Sequence, residues 1–295
     1  MEHSKFINRL KNGEILISDG ATGTNLQKRG LTPGVPPELW VLENPDEIQN
    51  LHEDFIIAGS NIILTCTFGG TRTRLEHSNL GSKANEINKK AVEIAQKAAS
   101  GNSVLIAGSM GPTGQLIKPL GALEEDDAVQ DFYSQAKVLS ECGVDLLVIE
   151  THYDLTEGSA AVLGARNACN LPIVISFSYD RGTRTMMGVK PGQMAEKFSS
   201  LDVQALGINC GRSMVENEAN LKELRESSSL PIWFKPNAGL PVLSASGEST
   251  YNLEPETMGE HALGWIGLGA SVVGGCCGSR PDHIRSIAAA VQNRL

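Results

Sequence analysis

Short apolar runs alternate with amphipathic stretches of helical periodicity along the chain. The apolar runs are four or five residues long and rich in β-branched side chains, which is typical of buried parallel strands. They predict strands at residues 15–18, 61–65, 104–107, 145–149, 173–177, 205–208, 232–235 and 270–273. The amphipathic stretches, with apolar residues three and four apart, predict helices at residues 46–59, 82–99, 124–142, 155–168, 191–200, 214–226, 255–267 and 281–294.

Eight strands alternating with eight helices predict a parallel sheet with right-handed crossovers. The simplest arrangement is an α/β fold, a single (β/α)8 TIM barrel over residues 1–295, with an extra N-terminal helix at 3–12 beneath it. An open doubly wound sheet is the alternative, but eight regular units without a leftover domain favour closure. The longer loops, 20–45, 109–123 and 236–253, lie at the active-site face of such a barrel, and the last is long enough to close over it.

The composition argues against several classes of partner. A net charge of −9 without a basic cluster argues against nucleic acid. The sequence begins without the apolar segment of a signal peptide, and no apolar run is long enough to span a bilayer, so we expect no membrane partner and a cytoplasmic location. Six cysteines in such a chain predict free thiols or metal ligands rather than disulfides.

Three cysteines follow predicted strands at the same face of the barrel. Cys210 follows the sixth strand, and Cys276 and Cys277 follow the eighth, with flanking glycines that free the backbone. Three thiolates on one ion are a zinc arrangement that leaves a fourth position for a substrate. Such a centre keeps an incoming thiol ionised and electron-rich, which suits alkyl transfer onto sulfur. Three buried thiols, or a disulfide between the adjacent pair, are the non-catalytic alternative.

Further polar residues at the strand ends predict a substrate. Asp19 and Glu150 form a site suited to an amino group, and backbone N–H groups around Gly20 and Thr65 could bind a carboxylate. Together with the thiol, these groups describe an amino-acid thiol. Each carboxylate has the simpler alternative of a cap, a turn or an ion pair. Lys235 raises the alternative of a Schiff-base lyase, although the sequence shows no supporting partner for it.

Seven motifs at the strand ends resemble the homocysteine S-methyltransferase family, and most closely the homocysteine-binding module of cobalamin-dependent methionine synthases. In order over essentially the whole chain they are DGATGT at 19–24, TCTF at 65–68, GPT at 111–113, ET at 150–151, NC at 209–210, KPNAGLP at 235–241 and GGCCG at 274–278. The sequence departs from the family's usual choices at Cys66, at Gly69 and Gly70, and at His152, and we expect these residues to line the mouth of the pocket.

The resemblance implies a ligand set and a substrate. One Zn²⁺ per chain would be held by Cys210, Cys276 and Cys277. Homocysteine would be the thiol, with its amino group on Asp19 and Glu150 and its carboxylate on the N–H groups of Gly20 and Thr65.

The implied reaction is zinc-dependent methyl transfer to homocysteine, activated as a zinc-bound thiolate, to give methionine. A single barrel does not include a domain that supplies the methyl group, and the stretch at 235–241 resembles the corrinoid-linked branch of the family. The expected donor is therefore a separate methyl-corrinoid protein acting in trans. A free methylsulfonium or betaine donor, or a different small thiol acceptor, is the alternative. A non-catalytic subunit that docks a corrinoid protein is a further alternative, against which the amino-acid pocket argues.

Overall fold

The computed structural model describes residues 4–243 and 249–294, and eight parallel strands form a barrel within them. These strands are β1 (Leu16–Ile17), β2 (Ile62–Leu64), β3 (Leu105–Met110), β4 (Leu146–His152), β5 (Ile173–Phe177), β6 (Ala205–Cys210), β7 (Ile232–Pro236) and β10 (Ala270–Val273). Neighbours pair in parallel register, and a bridge between Ser18 and Ile62 joins β1 to β2. The predicted (β/α)8 barrel is confirmed.

Twelve α-helices lie in the described part of the chain. They are α1 (Lys5–Lys11), α2 (Gly23–Lys28), α3 (Pro37–Glu43), α4 (Pro45–Ile57), α5 (Arg72–Glu76), α6 (Ala84–Ala99), α7 (Glu125–Glu141), α8 (Leu155–Ala168), α9 (Pro191–Ser199), α10 (Met214–Ser227), α11 (Pro255–Gly267) and α12 (Pro281–Gln292). The eight predicted barrel helices correspond to α4 and α6–α12, each within two residues of its expected bounds. Three short helices, α2, α3 and α5, were not expected in the loops that hold them.

An antiparallel hairpin lies in the loop after β7. Its strands are β8 (Pro241–Leu243) and β9 (Ser249–Tyr251). The predicted closure of the 236–253 loop over the site partly concerns residues 244–248, which lie outside the described residues, so it stays a prediction.

The barrel interior explains where polar side chains can emerge. One cluster of buried apolar side chains fills it, and Phe6 of α1 belongs to this cluster. Alternate strand residues share a face, so Glu150 of β4 continues the interior face of Val148, and Lys235 of β7 continues that of Trp233. The apolar interior of the barrel is therefore covered by polar side chains at the carboxyl ends of the strands.

Three strands extend further at their carboxyl ends than predicted. β3, β4 and β6 run two or three residues beyond their apolar segments, because backbone pairing continues after the side chains become polar. Cys210, for example, is still in register with Pro236 of β7. Residues expected in loops are thus held by the barrel wall.

Candidate active site

A cavity of 730 Å³ opens at the carboxyl ends of the strands. Its volume falls within the range of about 300–1,000 Å³ that is usual for small-molecule sites. Six of the seven predicted site residues line it, namely Gly20, Thr65, Glu150, Cys210, Cys276 and Cys277. Asp19 does not line it, whereas Lys235 does. The barrel thus gathers residues that are far apart in sequence around one space.

The three predicted cysteine ligands converge in this cavity. Their Sγ atoms all lie within 4.8 Å of one another. The Sγ of Cys210 is 4.0 Å from that of Cys277 and 2.7 Å from that of Cys276. Cys210 has a left-handed backbone, with φ at 58°. This conformation is costly for a residue with a side chain and is typical of functional sites.

The thiols of the cluster share hydrogen bonds that favour ionisation of one member. Hydrogen bonds from Cys210 and Cys276, with a further one from Tyr251 of β9, hold the pKa of Cys277 well below its ordinary value. Tyr251 also packs directly over Gly278, where an added Cβ would lie only 2.2 Å from the tyrosine ring. The hairpin after β7 is therefore anchored beside the cluster.

The cluster fits a zinc ion by its donor set. Cysteine sulfurs are soft ligands, and three of them with one open position match a catalytic zinc site. With Zn–S bonds of about 2.3 Å, a tetrahedral site spaces its sulfurs ~3.8 Å apart. The Cys210–Cys277 separation of 4.0 Å is close to that spacing, and the Cys210–Cys276 pair would widen. In this structure all three thiols are free, so the adjacent pair is not joined as a disulfide.

Asp19 pairs with Lys235 rather than facing the cavity. Its Oδ1 atom accepts a 2.8 Å hydrogen bond from Nζ of Lys235, and its Oδ2 atom accepts one of 2.7 Å from the N–H of Leu64. Burial lowers the pKa of Lys235, but the charges of Asp19 and Glu150 outweigh this, and the pKa lies above its ordinary value. The lysine has the supporting partner that its sequence context did not show.

The two backbone groups predicted to bind a carboxylate differ in availability. The N–H of Thr65 donates to the carbonyl of Ala107 at 2.9 Å, so it would have to leave this bond to bind a carboxylate, and its role stays a prediction. The N–H of Gly20 has no hydrogen bond to another described residue. A side chain at position 20 would lie 2.6 Å from the ring of Phe55, which explains the glycine.

Of the two carboxylates predicted from the sequence, Glu150 is the one that lines the cavity. The hydroxyl of Ser109 donates a 2.6 Å hydrogen bond to its Oε1 atom, and only 7 % of the residue is exposed. Burial raises the pKa of Glu150 to about 7, although Lys235 opposes the shift. The group is thus poised to change its charge near neutral pH, and a cationic ligand would favour its ionised form.

The comparisons with known proteins agree with this geometry. Residues 16–291 match the family model for homocysteine S-methyltransferase. The chain belongs to the homocysteine S-methyltransferase family. The methionine synthases of Mycobacterium leprae and Mycobacterium tuberculosis are both 32 % identical to it, over 94 % and 95 % of this chain. The chain spans only 24 % and 25 % of these two relatives' lengths.

Solved structures show the same fold. The metallated form of the homocysteine methyltransferase MmuM from Escherichia coli superposes with a TM-score of 0.81 at 24 % identity, covering 96 % of this chain and 98 % of MmuM. The oxidized form of MmuM gives a TM-score of 0.76 at 26 % identity, with the same coverage. Among the residues described, no helix has the length and apolar character needed to cross a membrane.

One site residue to which the sequence analysis assigned no role is Asn209, although it belongs to one of the motifs. In this member of the homocysteine S-methyltransferase family its buried amide joins three strand ends. Its Oδ1 atom accepts from the Thr151 N–H at 3.0 Å and from the Ser176 hydroxyl at 2.6 Å, and its Nδ2 atom donates to the Thr151 hydroxyl at 2.7 Å. Because Asn209 precedes Cys210 and Thr151 follows Glu150, these bonds position both. The sequence feature that could have identified Asn209 is its position next to a cysteine at the end of a predicted strand.

Asn209→Ala should loosen the cluster. We expect the zinc affinity to fall about 10- to 100-fold, as when a group that orients ligands is lost. The free energy of unfolding should fall by about 1–3 kcal/mol, because buried partners lose their bonds. Metal competition and urea unfolding measure the two effects. Ser176→Ala, which removes a single donor, is the matched control and should have the smaller effect. An unchanged zinc affinity in Asn209→Ala would contradict the positioning role.

The departures from the family's usual residues differ in location. Gly69 lines the cavity, whereas Gly70 does not. Cys66 lines the cavity, as expected. The expectation for His152 is wrong, because its ring is completely buried behind the barrel wall between Phe132 and Phe177. Neither ring nitrogen has a hydrogen-bond partner among residues 4–243 and 249–294. Burial lowers the pKa of His152 to about 3, so the residue packs as a neutral aromatic group.

His152→Phe should make the protein less sensitive to acid. The unfolded chain binds a proton at His152 below about pH 6.5, while the folded protein does not until about pH 3. The contribution of the neutral ring to the free energy of unfolding is therefore fully present above about pH 6.5 and is lost as the pH falls. Relative to the variant, the wild type should lose about 1.4 kcal/mol of unfolding free energy between pH 7.5 and 5.5. Urea titrations at both pH values check this, and equal losses in the two proteins would refute it.

Proposed function

We propose that this protein is a zinc-dependent methyltransferase that methylates homocysteine to methionine. The observation that carries the proposal is the convergence of Cys210, Cys276 and Cys277 in the cavity that also contains Glu150. Membership of the homocysteine S-methyltransferase family and the printed names of its relatives support the substrate and the reaction. The three cysteines would hold one zinc ion per chain. When bound, zinc would lower the pKa of an incoming thiol, so that the sulfur is a nucleophile at neutral pH.

The remaining residues of the cavity would orient the substrate. Glu150 is suited to the amino group, since an ammonium ion would compensate its buried charge. The free N–H of Gly20 is suited to the carboxylate. Holding both ends of the amino acid limits the positions that its sulfur can reach, which favours attack on a methyl group in line with the open side of the site.

The expected donor is a separate methyl-corrinoid protein acting in trans. Most of the exposed large apolar side chains among the described residues lie on loops that follow strands at the cavity end. They are Phe68, Leu116, Leu120, Met186, Met187, Leu240 and Val242. Apolar residues exposed at the cavity end of the barrel indicate a surface for a protein partner rather than for a small polar donor alone. The alternatives are a free methylsulfonium or betaine donor, and a different small thiol as acceptor.

The two rival functions are less consistent with the site. A Schiff-base lyase needs a neutral amine, whereas Lys235 is held protonated by its ion pair with Asp19. A subunit that only docks a corrinoid protein has no need for a cavity with a buried carboxylate beside a cysteine cluster. Borohydride trapping with a carbonyl substrate should therefore give no adduct at Lys235.

A metal analysis and a donor panel test the proposal. Protein purified without chelators should contain about one zinc per chain, as three thiolates with one open position predict. It should form methionine from homocysteine with a methyl-corrinoid protein, and more slowly or not at all with S-methylmethionine or glycine betaine. A protein without zinc would refute the metal centre. Turnover with a small donor alone would instead refute the corrinoid partner.

We further propose that residues 1–295 form one homocysteine-binding-type domain in a cytoplasmic protein. The match over residues 16–291 and the continuous barrel support the domain assignment. The six free cysteines suit a reducing compartment.

A further inference from the structure

Three buried side-chain oxygens in the segments that follow β5 and β6 have no hydrogen-bond partner. They are the Oδ1 atoms of Asp180, Asn217 and Asn220, and none of them is paired within residues 4–243 and 249–294. Asn217 is 1 % exposed, and Asn220 is completely buried. A buried polar atom without a partner is costly, so a group of three such acceptors indicates a ligand that they share.

The two asparagines are oriented by the hydrogen bonds that they donate. Nδ2 of Asn217 donates a 2.8 Å hydrogen bond to the carbonyl of Cys210, and Nδ2 of Asn220 donates one of 3.3 Å to the carbonyl of Gly182. A carbonyl accepts only from the nitrogen of an amide, so each bond fixes which end of the side chain is the oxygen. Both Oδ1 atoms are therefore acceptors that a rotation of the amide cannot replace by donors.

Hydrogen bonds at both ends tie the segment that contains Asp180 to this part of α10. At one end, the hydroxyl of Ser178 accepts a 3.3 Å hydrogen bond from the N–H of Gly211, in the turn before α10. At the other end, the carbonyl of Gly182 accepts from Asn220. Asp180 is two residues from each of these ties, and the two asparagines are one helical turn apart. The segment thus holds Asp180 beside the helix face that carries them.

Glu216 adds a second carboxylate to this group. Its Oε2 atom accepts from the hydroxyl of Ser213 at the start of α10, whereas its Oε1 atom has no hydrogen bond to a described residue. A Cβ at Gly182 would lie 3.9 Å from this Oε1 atom. Neither Asp180 nor Glu216 forms an ion pair with a side chain of the described part of the chain. The two negative charges therefore lack a counter-ion from the protein there.

The chemistry of these four oxygens is that of a site for a hard cation. All of them are acceptors, and a water molecule has only two hydrogens to donate, whereas a cation can meet several oxygens at once. Carboxylate and amide oxygens are the ligands that Ca²⁺ takes, in a flexible geometry. Mg²⁺ requires a near-ideal octahedron and keeps most of its waters, which fits ligands on a loop and a helix less well.

We propose that Asp180, Glu216, Asn217 and Asn220 bind a hard divalent cation of the calcium class, at a site separate from the cysteine cluster. The two carboxylates balance the charge of such an ion. The inference does not depend on the proposed methyl transfer. Because Asn217 also holds the carbonyl of Cys210, whose backbone is left-handed, the cation would stabilise the turn that carries this cysteine.

Calorimetric titration of the purified protein with CaCl₂, in buffer freed of divalent cations, tests this inference. We expect one Ca²⁺ per chain with a dissociation constant of about 10⁻⁴–10⁻³ M, because only two of the ligands are charged. Mg²⁺ should bind at least about tenfold more weakly. At about 10 mM, Ca²⁺ should raise the melting temperature by about 3–6 °C, since a ligand of the folded state stabilises it.

Four variants locate the bound ion. Asp180→Asn keeps the shape of the side chain but loses its charge, and Asn220→Leu loses a ligating oxygen, so each should weaken Ca²⁺ binding at least about tenfold. Asn220→Asp supplies a further charged ligand and should strengthen binding about 3- to 10-fold, which a merely misfolded variant could not do. Glu226→Gln removes an exposed carboxylate from the same helix and is the matched control, with unchanged affinity.

Three outcomes would overturn the inference. Wild-type protein without saturable binding up to about 10 mM Ca²⁺ would show that water alone fills the group. Equal affinities in the wild type, Asp180→Asn and Asn220→Leu, or no gain in Asn220→Asp, would place the ion elsewhere on this acidic protein. Tighter binding of K⁺ than of Ca²⁺ would refute the divalent assignment.

Discussion

Replacing Cys276 with serine should abolish both zinc binding and methyl transfer. The Sγ atom of Cys276 lies within 4.8 Å of those of Cys210 and Cys277, so its loss leaves two thiols where three are needed. A hydroxyl is a poor replacement for a thiolate, since it stays protonated at neutral pH and is a weaker ligand for a soft site. We expect less than about 0.1 zinc per chain, as a site that has lost a ligand no longer closes around the ion. Metal analysis after gel filtration measures this.

The activity of the cysteine variants should be non-additive. Cys210→Ser and Cys277→Ser should each lower methionine formation at least ~1,000-fold, and combining them should add little, because the three ligands act as a unit. Cys142→Ser is the matched control: this cysteine ends α7, away from the cavity, and the variant should retain wild-type zinc content. A single variant with full zinc and activity would exclude that cysteine from the ligand set.

Glu150→Gln should weaken homocysteine binding while leaving the metal centre intact. The amide keeps the shape of the side chain and can still accept from Ser109, but it has no charge for the substrate's amino group. Loss of a charge-assisted hydrogen bond predicts a rise in the dissociation constant of about 10- to 100-fold. The variant should bind 4-mercaptobutanoate, which has no amino group, at least as well as the wild type does. Calorimetry on zinc-loaded protein measures both constants.

The pH dependence separates this role from a structural one. The pKa of Glu150 lies at about 7, so the carboxylate is ionised above that pH and neutral below it. The difference in homocysteine affinity between wild type and Glu150→Gln should therefore shrink as the pH falls from 8 to 6. A difference that stays constant over this range, or an equal loss of 4-mercaptobutanoate binding, would contradict a charge interaction with the amino group.

Much of the site followed from local sequence because of a general property of parallel barrels. Residues that end apolar runs all reach the same face, so Cys210, Cys276 and Cys277 could be placed together without coordinates. The same reasoning failed for His152, because the pattern shows where a strand ends but not which way an end residue points after a register shift. The structure has such a shift between Ile149 and His152, and the imidazole turns away from the cavity.

The hydrogen-bond partners of backbone groups also could not be predicted from the local sequence. Thr65 ends a predicted strand, and its N–H was expected to be free, but it is still hydrogen-bonded to the carbonyl of Ala107 in β3. The short helices α2 and α3 and the hairpin of β8 and β9 lie in stretches without clear periodicity. Such segments take their structure from what they pack against, as Tyr251 does against Gly278.

The sequence by itself determined the alternation of strands and helices, the closed barrel and the face at which the cysteines, Glu150 and Lys235 emerge. These depend on the periodicity of side chains and on the common direction of parallel strands. Only the tertiary structure decided that Asp19 is paired with Lys235, a residue 216 positions away, and that Glu150 lines the cavity whereas Asp19 does not. Which buried charges meet depends on distances across the barrel of a few ångströms, and no local pattern encodes them.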